Sequence, residues 1–197
     1  MAESKPAPGD LEIVRRFVNT RDADTATDLI DSNEGLAQWL RERGLLPAGV
    51  EIRREDVDRA TALREALRQL MLHNNDGRPV QPEVSATLDD VAARSALRLR
   101  VDEEGQTRLD AEGPGVDAAL GRLLITVHRA MENGSWSRLK ACRNDTCQWG
   151  FYDHSKNHSG HWCTMEECGN RVKAREYRQR RRSRGQESSG SGSVSSS

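Results

Sequence analysis

No stretch of this 197-residue chain stays apolar for the roughly 20 residues that a membrane-spanning helix needs. The first ten residues, MAESKPAPGD, lack the basic and apolar regions of a secretory signal. These two absences predict a cytoplasmic protein with no membrane partner, where thiols stay reduced unless a metal holds them. Lysine is scarce, with 4 Lys against 26 Arg, which reads mainly as a high-GC bacterial coding sequence. Catalytic signatures are missing as well. There is no nucleophile–base pair, no phosphate-binding glycine loop and no paired-acid motif, and His73 and His128 stand alone on helices. The expectation is a protein that is not an enzyme.

What is present is an uneven distribution of charge. The net charge is only −1, yet residues 1–137 hold 18 Lys/Arg and 25 Asp/Glu, a balance of −7. Residues 138–184 hold 12 Lys/Arg and 5 Asp/Glu, a balance of +7. The basic part is the one able to meet a polyanion.

Hydrophobic periodicity divides the chain. Residues 1–9, with Pro6 and Pro8, read as a flexible N-terminus. Residues 10–133 read as an acidic, mostly helical domain with helices near 10–20, 33–43, 55–73, 82–94 and 115–133. Ser32 can cap the second helix, Gly44 can end it, and Asn74 to Gly77 is a break signal. At Leu97, Leu99 and Val101 the period shortens to two, which predicts a β-hairpin over 96–111. A joint near Gly134 leads to a small basic module over 134–184, and a Ser/Gly-rich tail from 185 to 197 is expected to be disordered. The fold class is mainly α with a small β-hairpin, an α+β domain followed by the module. Inside the first domain Asn19, Asp28 and Trp39 could line a pocket for a small-molecule effector, and the helices at 55–73 and 115–133 could make a homodimer. The plainer reading is a helix cap and a core tryptophan.

All four cysteines lie in the module, as Cys142-x4-Cys147 and Cys163-x4-Cys168 separated by fifteen residues. Two close pairs joined by an insert of that size suit one tetrahedral Zn2+ held by four thiolates. Two disulfides, four free thiols, or a site in which His154, His158 or His161 replaces a cysteine are the alternatives. A segment so short and so poor in large apolar groups is not expected to stabilise itself by burial alone. Trp149-Gly150-Phe151-Tyr152 and Trp162 read as a miniature core against the metal, or as rings for base stacking. After the last cysteine comes a helix dense in positive charge, with Asn170 as its cap. Lys156, Arg171, Lys173, Arg175, Arg178, Arg180, Arg181 and Arg182 are the candidate phosphate contacts, with DNA as the expected partner and RNA or an acidic protein as the alternative.

A wider pattern joins these residues. Cys142, Cys147, Phe151, Asp153, Ser155-Lys156-Asn157, Trp162-Cys163, Met165 and Cys168-Gly169-Asn170-Arg171, with Lys173, closely resemble the CGNR zinc finger. Gly160-His161 stands where that finger often carries arginine. Upstream, Phe17-Val18-Asn19-Thr20-Arg21, Asp28-Leu29 and Trp39-Leu40 are similar to the ABATE domain, which precedes this finger in bacterial proteins. The resemblance implies a stress-related transcriptional regulator, nucleoid-associated, with a C-terminal DNA-binding finger. A treble-clef-like finger is expected, with a knuckle at the first cysteine pair, a hairpin over 149–162 and a helix opened by the second pair.

Overall fold

Leu11, Val14, Phe17 and Val18 recur at a spacing that puts them on one side of a helix, and α1 (Leu11–Val18) buries all four. The computed structural model describes residues 5–175, 177 and 178. Arg180, Arg181, Arg182 and the tail from 185 lie outside the described residues. The stretch before α1, expected to be loose, is held where it is described. Ala7 is buried, and its N–H donates to the Glu12 carboxylate at 2.8 Å.

A hairpin of two-residue strands, β1 (Arg21–Asp22) and β2 (Thr27–Asp28), follows α1. It is too short to leave a periodic signal in the sequence. Then comes α2 (Asn33–Arg41), whose cap is the expected one: the Ser32 hydroxyl accepts from Gly35 N–H at 3.1 Å. The long helix α3 (Arg54–Asp76) buries Val57, Ala60, Leu63, Leu67 and Met71 along one stripe. It runs through Asn74 and Asn75 before Gly77 stops it at φ 70°. In α4 (Pro82–Arg94), proline opens the first turn, where no intrahelical N–H is needed. Strands β3 (Leu97–Val101) and β4 (Thr107–Ala111) pair antiparallel with Leu99 opposite Leu109. The last long helix of the acidic region is α5 (Gly115–Glu132), which buries Val116, Leu120, Leu123 and Val127. Met131, aligned with these by period, is instead 47% exposed, and Ala130 beside it takes the buried position. Among the described residues no helix is long and apolar enough to cross a membrane.

The chain then makes two three-residue strands, β5 (Leu139–Ala141) and β6 (Gly150–Tyr152), paired antiparallel with Lys140 opposite Phe151. The expected hairpin within 149–162 does not form. Its first residues pair backwards with β5, and residues 153–160 wind around a buried side chain instead. One buried cluster runs continuously from α1 through α3 and α5 to Trp136, Leu139 and Ala141. The first strand of the finger therefore belongs to the main core, while the cysteines form a small cluster of their own. The fold is mainly helical with two-stranded hairpins, and ends in a four-cysteine finger with a helix after it.

Candidate metal centre and its supports

Cys142 leaves β5 directly, and its N–H still donates to Trp149 O at 2.9 Å as the ladder runs out. The turn to Cys147 is organised by buried Asn144. Its backbone carbonyl accepts from Cys147 N–H at 2.8 Å and from Gln148 N–H at 3.0 Å, and its side-chain oxygen accepts from the Thr146 hydroxyl at 3.1 Å. Gln148 takes φ 51°, the left-handed conformation that returns the chain to β6. The second pair comes from a wide, π-type turn over Met165–Gly169 that swings Cys168 inward. Helical geometry continues over 170–175 and at 177 and 178. The cap of this element is Thr164, not Asn170: the Thr164 hydroxyl accepts from Glu167 N–H at 3.4 Å, and Asn170 already lies within the helix. The sequence signal failed because the wide turn starts the helix five residues early.

The four sulfurs lie within 4.8 Å of one another, with Cys147–Cys163 at 3.7 Å and Cys163–Cys168 at 3.6 Å. Sulfurs at the corners of a zinc tetrahedron with bonds of about 2.3 Å are about 3.8 Å apart, so the donor set fits the ion. The surroundings suit thiolate. Backbone N–H groups of Cys163 and Asn144 point at Cys142 sulfur, that of Trp149 points at Cys147, and Asn144 Nδ2 donates to Cys168 sulfur at 3.7 Å. Proton loss from Cys142, Cys147 and Cys163 is unequal. Hydrogen bonds from the Cys147 and Cys163 thiols, opposed by burial, draw Cys142 down to about 2. Bonding to Cys142 in turn pushes Cys147 and Cys163 above the ordinary range. All four ionise together when a divalent cation sits among them, which is what one structural zinc supplies. Four sulfur ligands leave no open position for water.

None of the three histidines joins the four-sulfur group. His154 Nε2 meets Pro6 O at 3.0 Å, His158 gives its carbonyl to Lys140 at 2.6 Å, and His161 Nδ1 meets Asn75 Oδ1 at 2.6 Å. The aromatics make the miniature core: Phe151 is buried, and Trp149 and Trp162 pack on the cysteines.

Two features of the finger were not legible as site residues. The first is Lys140, only 3% exposed. Its ammonium donates to Asp153 Oδ2 at 2.8 Å, His158 O at 2.6 Å and Gly160 O at 3.1 Å, gathering the 153–160 loop around itself. A side chain at Gly160 would meet the Asp153 carboxylate at 3.0 Å, which accounts for glycine where arginine was expected. The second is the end of α3. Asn74 donates to Trp136 O and Leu139 O, both at 2.9 Å, and Asn75 donates to Ala141 O at 2.7 Å and His161 O at 3.0 Å. Asn75→Ala leaves two buried carbonyls and a ring nitrogen without partners, so it should lower stability by about 2–4 kcal/mol. Thermal melts of the zinc-loaded protein check this.

The three residues suggested for an effector pocket each make a contact within the fold. Asn19 acts as a one-residue strand on the edge of β6, donating to Gly150 O at 2.8 Å and accepting from Gly150 N–H at 2.6 Å. Asp28 is held by both terminal nitrogens of buried Arg64, at 2.6 and 2.8 Å. Trp39 is buried against Phe17, with ring centroids 5.3 Å apart, and beneath the Arg43 guanidinium at 4.2 Å. Each satisfies a need inside the fold, and the open groove along α2 is lined by other residues, among them Ala37, Arg41 and Val50.

Of the candidate phosphate contacts within the described residues, Lys156, Arg171, Lys173, Arg175 and Arg178 are all exposed, while Val172 turns inward. Arg171 approaches Asp24 at the tip of the β1–β2 hairpin at 3.4 Å, a surface pair of little strength.

Comparison with known proteins agrees with this geometry. A family model for the CGNR zinc finger matches residues 138–181. A model for the ABATE domain, described as "Putative stress-induced transcription regulator", matches residues 12–132. No curated protein matches the chain. The chain therefore belongs to the ABATE family, with a CGNR zinc finger following that domain.

Proposed function

We propose that this zinc-binding regulator acts on DNA through the helix that begins at the metal. The observation that supports the reading is the exposed basic face of Arg171, Arg175 and Arg178, with Lys173 exposed on a second flank, borne on a helix whose first turn carries the ligand Cys168. Like charges at this density repel one another until a polyanion neutralises them. A helix fixed at one end presents them in one direction. Lys156, exposed on the 153–160 loop, adds a further phosphate contact. The zinc has a structural role, and the protein acts as a regulator rather than an enzyme. The ABATE domain supplies the regulatory input, by sensing or by self-association, in keeping with the description of its family.

The test is a titration of duplex DNA at several salt concentrations. The association constant should fall with salt, with a logarithmic slope of about −0.9 per phosphate contact. Replacing Arg171, Arg175 and Arg178 together with alanine should weaken binding to every duplex and reduce the slope by about three contacts. A constant indifferent to salt would remove the phosphate reading. Competition with structured RNA and heparin separates the partners: preference among duplexes supports a DNA regulator, and equal competition by all polyanions points to a general polyanion-binding module.

A further inference from the structure

The four ligand cysteines are not equally buried. Cys142, Cys147 and Cys168 are buried, at 0%, 7% and 1% exposure, whereas Cys163 is half-buried. The difference arises from the backbone. Cys142 sits at the end of a strand inside the main core, Cys147 lies under Trp149, and Cys168 is turned inward by the wide turn. Cys163 lies in an irregular stretch beside half-buried Trp162, and is followed by exposed Met165 and Glu166. Its sulfur also has two others within bonding reach, Cys147 at 3.7 Å and Cys168 at 3.6 Å.

We propose that Cys163 is an oxidant-modification site, the entry point through which a hydroperoxide converts the metal centre into a disulfide. As a metal ligand the sulfur is held as thiolate, the nucleophilic form. The Cys163 thiolate attacks one peroxide oxygen and the O–O bond breaks. Sulfenic acid forms, and the departing hydroxide takes a proton to become water. The thiolate of Cys147 or Cys168 then attacks the sulfenic sulfur. The S–S bond forms and the second oxygen leaves as water. Two thiolates lose two electrons in all, and one peroxide and two protons become two water molecules. Two sulfurs remain, too few to retain zinc.

The structural consequence is local. Strands β5 and β6 are fastened by Asn19, Asn74 and Asn75, with no help from the metal. Among the described residues, Cys168, the inward Val172 and the surface pair to Asp24 tie the basic helix to the rest. Oxidation therefore frees the helix and spares the core. The modification itself is independent of what that helix binds.

The experiment treats the full, zinc-loaded chain with hydrogen peroxide, follows zinc with a chromogenic chelator, and ranks the four cysteines by differential alkylation and mass spectrometry. Cys163 should lose alkylation first, with one zinc freed per two thiols lost, and a dithiol with added zinc should restore the site. Loss led by Cys142, equal loss at all four, or zinc retained after two thiols are gone would overturn the assignment. Cys163→His keeps a fourth zinc ligand without the thiol. It should release zinc at least about tenfold more slowly, because the attacking sulfur is gone. Release at the unsubstituted rate would also overturn it, and if the variant takes up no zinc, the order of alkylation in the unaltered chain decides.

Discussion

Stripping zinc from the intact chain with a chelator should abolish the ordered basic helix while leaving the helical core and the β5–β6 pair folded. An isolated finger owes on the order of 10–16 kcal/mol to its metal and is unfolded without it. Here strand β5 of the finger is already in the main core, where Leu139 and Ala141 are fully buried. The surface that the finger lacks is supplied by α3 and α1. The released part is the stretch after His161, held by Cys163 and Cys168 together with the inward Val172 and the surface pair of Arg171 with Asp24. Trp149 and Trp162 pack on the sulfurs, so their near-ultraviolet signals should collapse, whereas Trp39, enclosed by Phe17 and Arg43, should keep its own. Far-ultraviolet dichroism should fall only slightly, and DNA affinity by on the order of a hundredfold as the oriented charges scatter. Complete cooperative unfolding on chelation would show that the asparagine anchors cannot hold β5 without the metal.

Asp153→Ala should be the most damaging single substitution away from the cysteines. It leaves the Lys140 ammonium buried with two carbonyl acceptors and no counter-charge, a loss of about 3–5 kcal/mol. Pairing it with Lys140→Met should recover much of that, since the uncompensated charge is then gone. The pH dependence has a definite sign. Burial raises the Asp153 pKa, but Lys140 and the N–H groups of Ser155 and Gly160 overcome it and hold the carboxyl well below the usual carboxylate range. A pKa lower in the folded than in the unfolded chain contributes stability above the unfolded value of about 3.9, and that contribution fades as pH falls below it. The gap in Tm between the unaltered chain and Asp153→Asn should therefore be full at neutral pH and shrink below about pH 4.

The helices were legible because each carries its own apolar stripe, and α2 and α4 announce their starts with Ser32 and Pro82. The break signal at Asn74–Gly77 was half right. Gly77 ends the helix as a left-handed glycine must, but the two asparagines before it are not turn residues. They are helical donors aimed at carbonyls 62 to 86 residues away, and no local pattern encodes that distance. Asn19 misled for the same reason. A polar residue at a helix end resembles a cap or a pocket wall until its partner, Gly150, is seen 131 residues away.

The sequence by itself determined the metal and the distribution of charge. Four thiols at two fixed spacings suit very little but one tetrahedral ion, and a run of arginines is basic in any conformation. Only the tertiary structure decided that the finger is built onto the ABATE core, that Lys140 is an internal strut while Lys156 faces solvent, and that one cysteine of the four is only half-buried. Burial and long-range hydrogen bonding are properties of what the chain brings together, and two lysines sixteen positions apart look alike until it folds.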